Sequence, residues 1–175
     1  ITTTLLLVDT TQTIDENSPN AVLLYHFPKK MREIIANSCY WGRIKAYVMF
    51  AFSSKYALAL YEAVCLRGNL RTNEQIFSVE AFREMLTIEK KKYPAFPQLK
   101  QRVIDPAVME VNALSDFTVM IEPIREGGML RGRLTGFRLS WSKKSNEEWQ
   151  GVLDELLRPK VGRKARIAGT VERVA

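Results

Sequence analysis

Few side chains in this sequence are arranged for bond-making chemistry. His26 is the only histidine, so a Ser-His-Asp or Cys-His nucleophilic site would have to rest on it. It lies inside the apolar run 22–27, where an imidazole packs or lines a strand edge. A nicking enzyme that holds a metal with paired histidines beside a tyrosine nucleophile lacks its second histidine. The nearest approach to a phosphate loop, residues 127–132, continues as Arg133-Leu134 and lacks both the lysine and the hydroxyl of GxxxxGK[ST]. The carboxylates fall among basic neighbours, with no DxD or ExxH spacing for a metal. Neither catalysis nor a cofactor is expected. Cys39 and Cys65 form no CxxC pair and read as reduced core thiols of a cytoplasmic protein.

What remains is chemistry directed at a polyanion. Lysine and arginine number 26 against 19 acids, a net charge of +7, which suits nucleic acid or an anionic surface. Residues 53–140 carry thirteen basic and ten acidic side chains, and residues 158–175 carry six and one, so the last segment is the most basic. Gln98, Gln101 and Arg102 have the side chains that pair with base edges, and Lys91 and Lys92 just before them suit phosphates. Arg125, Arg131 and Arg133 surround Gly127, Gly128 and Gly132, which let a backbone approach DNA closely. No run of about 18 apolar residues is present to span a membrane, and no membrane partner is expected. The chain opens on Ile1 and is read as a piece of a longer protein. Leu5-Leu6-Leu7-Val8 is too short, and lacks the basic flank, for a signal peptide.

The positioning elements follow from period and punctuation. Residues 2–8 and 21–27 read as two strands of a hairpin with a long polar loop, and Pro28 opens a helix reaching about Asn37. Residues 44–52 are apolar without a deciding period. Ser53 or Ser54 caps a helix with Ala57, Leu60, Tyr61, Val64 and Cys65 on one face, and Gly68 sits where a left-handed end is wanted. Ile76-Phe77 is a short extended piece. Ser78 caps a second helix, with Glu80 in its first turn and Phe77 and Phe82 at staple positions. A third helix runs from about Pro97 to Asn112 or Leu114. At about 100° per residue it places Leu99, Val103, Ala107, Val111 and Leu114 inward, and Pro106 should bend it. Residues 117–122 alternate as a strand, Phe137, Leu139 and Trp141 return, and Ser145 to Glu148 is a capping box. Residues 158–175 read as a basic extension, either a DNA tether using Arg163, Lys164 and Arg166 or a solubilising end.

Helix, short strand, helix, helix and hairpin is the order of a winged helix, an α+β helix-turn-helix variant. The segments SKYALALYE (54–62), FSVEAFREML (77–86) and LKQRVIDPAVMEVN (99–112) resemble those of initiator replication proteins of theta-replicating, iteron-type plasmids. The resemblance implies two winged-helix units. Residues 1–52 would be the hairpin and last helix of the first, 53–141 the second, 142–157 a C-terminal helix and 158–175 a basic tail. It implies binding of double-stranded DNA at direct repeats of an origin. It also implies self-association through the first unit, and host partners such as a helicase or host initiator. By position, Lys100 and Arg102 match basic sites of the family's recognition helix. The usual GRKV of the hairpin stands here as Arg131-Gly132-Arg133-Leu134. A winged-helix transcription regulator at a promoter is the alternative, separable by its preference for inverted repeats.

Overall fold

The structure, a computed structural model, describes residues 9–12, 23–37, 44–128 and 132–170. They fall into two units, within 1–41 and 42–175. In the first, β1 (Asp9–Gln12) pairs antiparallel with β2 (Leu23–His26), Asp9 opposite His26. α1 (Lys29–Asn37) follows, its first turn closed by Arg32 N–H on the Pro28 carbonyl at 3.0 Å. Pro28 thus opens the helix, as its fixed φ favours. The strand expected at 2–8 lies outside the described residues, as does Cys39. His26 is exposed at the end of its strand.

The division between the two units follows residue 41, whereas the sequence places a boundary at residue 52. The intervening segment packs into the second unit. α2 (Ala46–Met49) buries Val48 completely, and Ala51 is buried just after it. Lys45 Nζ reaches Asp116 at 3.0 Å and stands 3.9 Å over the Trp149 ring, and its N–H donates to Tyr61 Oη at 3.3 Å. These partners lie far along the chain, so local period left the segment undecided.

The second unit then runs α3 (Lys55–Arg67), β3 (Glu74–Ser78), α4 (Val79–Met85), a long helix over 96–114 that comprises α5 (Phe96–Leu99) and α6 (Asp105–Leu114), β4 (Phe117–Arg125), β5 (Leu134–Lys143), α7 (Asn146–Leu157) and α8 (Arg163–Ile167). The sheet is antiparallel in the order β3-β5-β4. Ser54 caps α3 by accepting from Tyr56 N–H, Ser78 caps α4 by accepting from Ala81 N–H, and both halves of the capping box at Ser145 and Glu148 form. The predicted inner faces meet in one core. Leu60, Tyr61, Val64, Val103, Ala107, Val111, Phe137 and Leu139 are buried there, and Phe82 stacks on Phe137 with ring centroids 4.1 Å apart. Cys65 is buried beside them, and desolvation pushes its thiol up to about 11.

Two glycines matter for space rather than dihedral freedom. Gly68 has φ −62°, not the left-handed value expected; a Cβ there would sit 2.7 Å from Phe117 Cζ. Gly136 lies opposite Ser78, and a Cβ would stand 2.4 Å from the Phe77 carbonyl oxygen, so only glycine admits β3 to this edge.

The left-handed helix end occurs instead after α4, at a threonine. Thr87 has φ 54°, with Thr87 N–H on the Glu84 carbonyl at 2.9 Å and Ile88 N–H on that of Arg83 at 2.8 Å. This is the Schellman pattern with a β-branched residue where glycine is preferred. Thr87→Gly is expected to stabilise the protein by about 1 kcal/mol, the strain relieved exceeding the entropy lost. Thermal unfolding checks this, and an unchanged or lower midpoint would refute it.

Within the basic extension expected at 158–175, the described residues 158–170 carry a short helix. α8 folds back on α7, with Arg163 only 7% exposed, its Nη2 donating to the carbonyls of Glu155, Leu156 and Arg158 and its Nη1 to that of Ala51. Arg166 forms a bidentate pair with Glu155, Nη2 to Oε1 at 2.8 Å, and Lys160 donates to the Phe50 carbonyl. Burial opposes ionisation of Glu155, but Arg166, Arg163 and Arg158 together hold its carboxyl below the usual range. Arg163 and Arg166 are thus committed to internal partners; of the three tether candidates, Lys164 alone is exposed.

Candidate nucleic-acid interface

The long helix consists of α5 (Phe96–Leu99), a π-helical turn (Lys100–Ile104) and α6 (Asp105–Leu114). Pro106 follows a π-helical turn rather than interrupting an α-helical one. In an unbroken α-helix the proline ring would press on the Arg102 carbonyl. Here the preceding turn widens, and Asp105 N–H bonds the Lys100 carbonyl five residues back. The wider turn sends both Val103 and Ile104 inward and leaves Lys100, Gln101 and Arg102 exposed in succession. Gln98 and Asp105 are exposed as well, whereas Leu99, Ala107, Val111 and Leu114 are buried as expected. Lys100 Nζ reaches Asp105 Oδ1 at 2.7 Å and Oδ2 at 2.8 Å, with both side chains half-exposed. Such a pair is weak in water.

The rear of this helix holds Glu110, which the sequence reading did not single out. It is 2% exposed, and its carboxyl accepts from Ser53 N–H at 2.9 Å, Ser54 N–H at 3.2 Å and the Ser53 hydroxyl. It thereby fastens the 96–114 helix to the start of α3. A signal existed: position 110 follows Ala107 by three and so falls on the inward face. Asn112 clamps the outer edge of β4, donating to the Val119 carbonyl at 3.0 Å and accepting from its N–H at 2.7 Å. Lys144 closes the far end of α6 by donating to the Asn112 and Ser115 carbonyls.

Ahead of the helix, the lysine-rich loop is organised by Arg83 on α4. Its guanidinium donates to the carbonyls of Glu89 at 2.9 Å, Tyr93 at 3.2 Å and Lys92. Tyr93 turns the chain at φ 53°. Lys91 is exposed, and Lys92 is exposed with Nζ 3.5 Å from Glu89 Oε1. Glu89 first, then Tyr56 and Tyr93, lifts the Lys92 ammonium above the ordinary range, so it stays charged.

In the hairpin, the ladder shifts register between Ile124 and Arg125, and Gly127 and Gly128 take φ 63° and 69° at the tip. Arg125 is only partly exposed. Its Nη1 donates to the Gly132 carbonyl at 2.8 Å, and its guanidinium lies 5.1 Å from the Phe96 ring. It ties the hairpin to the start of the 96–114 helix. Arg133 is exposed, and Arg131 lies outside the described residues. Lys91, Lys92, Gln98, Lys100, Gln101 and Arg102 are thus all exposed, and Arg125 joins the hairpin to the helix that carries four of them. Among the described residues no cluster of three His, Cys, Asp or Glu side chains could hold a metal, and no helix is long and apolar enough to cross a membrane.

No curated protein matches the chain. A family model described as initiator Rep protein, WH2, matches residues 78–141, from the cap of α4 through the hairpin to Trp141.

Proposed function

Residues 78–141 belong to the winged-helix family of initiator Rep proteins, and from that premise we propose that the chain binds directly repeated double-stranded sites at a plasmid replication origin and initiates replication without catalysing a reaction. The observation that carries the reading is the division of the 96–114 helix. Its inner face fills the core, while Gln98, Gln101 and Arg102 stand free of the core on the other side. Glutamine pairs with adenine and arginine with guanine in the major groove, and neither is needed to hold the fold. Lys91, Lys92, Lys100, Arg131 and Arg133 supply phosphate contacts in this reading, and Arg125 sets the hairpin's angle.

A binding protein that melts or recruits, rather than cuts, agrees with a sequence whose lone histidine is exposed at a strand end. Self-association through the first unit, and recruitment of a host helicase or host initiator, belong to the same proposal. The test is selection of bound duplexes from a random pool. Direct repeats, with affinity falling steeply as salt rises, are the expected outcome. Inverted repeats would instead establish the promoter-binding regulator, and no enrichment would end the DNA-binding reading.

A further inference from the structure

The basic surface extends to an element that sequence order keeps apart from it. Lys55 opens α3, over thirty residues before the lysine-rich loop, yet its Nζ lies 3.9 Å from Glu89 Oε1, the same oxygen that Lys92 Nζ approaches at 3.5 Å. All three side chains are largely exposed. The arrangement has two independent supports. Arg83 fixes the loop backbone through the carbonyls of Glu89, Lys92 and Tyr93. Tyr56, next to Lys55 and buried, meets the Tyr93 ring edge-on with centroids 6.5 Å apart. The start of α3 and the loop are therefore held together whether or not the ion pairs form.

Two ammonium groups closing on one anionic oxygen is the geometry by which two lysines clamp a phosphate. We propose that Lys55 and Lys92 clamp a single phosphate of bound DNA, and that Glu89 occupies that place in the free protein and is displaced on binding. The proposal rests on the DNA-binding reading above. It adds a contact from α3, outside the recognition helix and hairpin. Because the internal carboxylate competes with the phosphate, removing it favours DNA of any sequence; because each lysine neutralises phosphate charge, removing one releases fewer counterions.

The experiment measures binding of the whole chain to a short mixed-sequence duplex over a range of salt. Lys55→Gln should flatten the slope of log K against log salt by about 0.9, Lys55→Arg should restore it, and Glu89→Gln should raise affinity at every salt concentration. A melting curve confirms that the exposed substitutions leave the fold intact. If the unaltered chain binds the duplex but Lys55→Gln leaves the slope unchanged and Glu89→Gln gains nothing, the clamp is refuted while the DNA-binding reading stands. If the unaltered chain does not bind, the reading itself falls and the clamp with it.

Discussion

Replacing Glu110 by alanine should cost about 3 kcal/mol or more of folding stability. The side chain is 2% exposed and accepts from two backbone N–H groups and one hydroxyl at the turn into α3. Truncation leaves those donors unpaired in a place water enters poorly, and each orphaned group costs about 1–3 kcal/mol. The cavity adds to the loss. Glu110→Gln retains the shape and an accepting oxygen and should cost markedly less, which separates lost hydrogen bonding from lost volume. Thermal or denaturant unfolding of both variants decides it; an alanine variant as stable as the parent would show that the Ser53–Glu110 link contributes nothing.

The double substitution Gln101→Ala with Arg102→Ala should abolish discrimination between selected and scrambled duplexes. Each paired contact to a base is worth about 1–3 kcal/mol, so losing two lowers specific affinity by roughly a hundredfold or more. Binding to scrambled DNA should fall far less, by the loss of one arginine charge. Lys91→Gln should behave in the opposite manner, weakening both duplexes alike and flattening the salt dependence. Stability should not change in either case, since all three side chains are exposed and the core lies on the helix's other face. Competition titrations at fixed salt give the answer. A double variant that still prefers its selected sequence would place base readout elsewhere, with Gln98 or the hairpin next in line.

The accuracy of the element order has a local cause. Caps act over two or three residues, as between Ser54 and Tyr56, Ser78 and Ala81, and Ser145 and Glu148. The alternation in β4 and β5 reports burial of Phe117, Val119, Phe137, Leu139 and Trp141 directly. The π-helical turn was less legible. The proline announced a disturbance, but that the turn widens depends on how Val103 and Ile104 pack. Gly68 shows the same limit: its need for a small residue comes from the Phe117 ring, not from its own φ.

Composition also misled where it counted charges without partners. Six basic residues in the last eighteen read as a basic tail, a DNA tether or a solubilising end. Arg163 instead reaches back 112 positions to the Ala51 carbonyl, and Arg166 is spent on Glu155. Arg125 likewise has partners within the protein that its position in the sequence did not announce, the Gly132 carbonyl and the Phe96 ring.

The amino-acid order alone therefore determined the winged-helix succession, the inward face of the 96–114 helix and which residue types its other positions carry, because periodicity and capping depend on neighbours a few positions away. Only the folded chain decided which of those charges are spent inside the protein, that Glu110 binds the helix to α3, and that Lys55 meets Lys92 across one carboxylate. Those outcomes depend on groups brought together from distant positions, 57 residues apart for Ser53 and Glu110, and no local pattern encodes such a meeting.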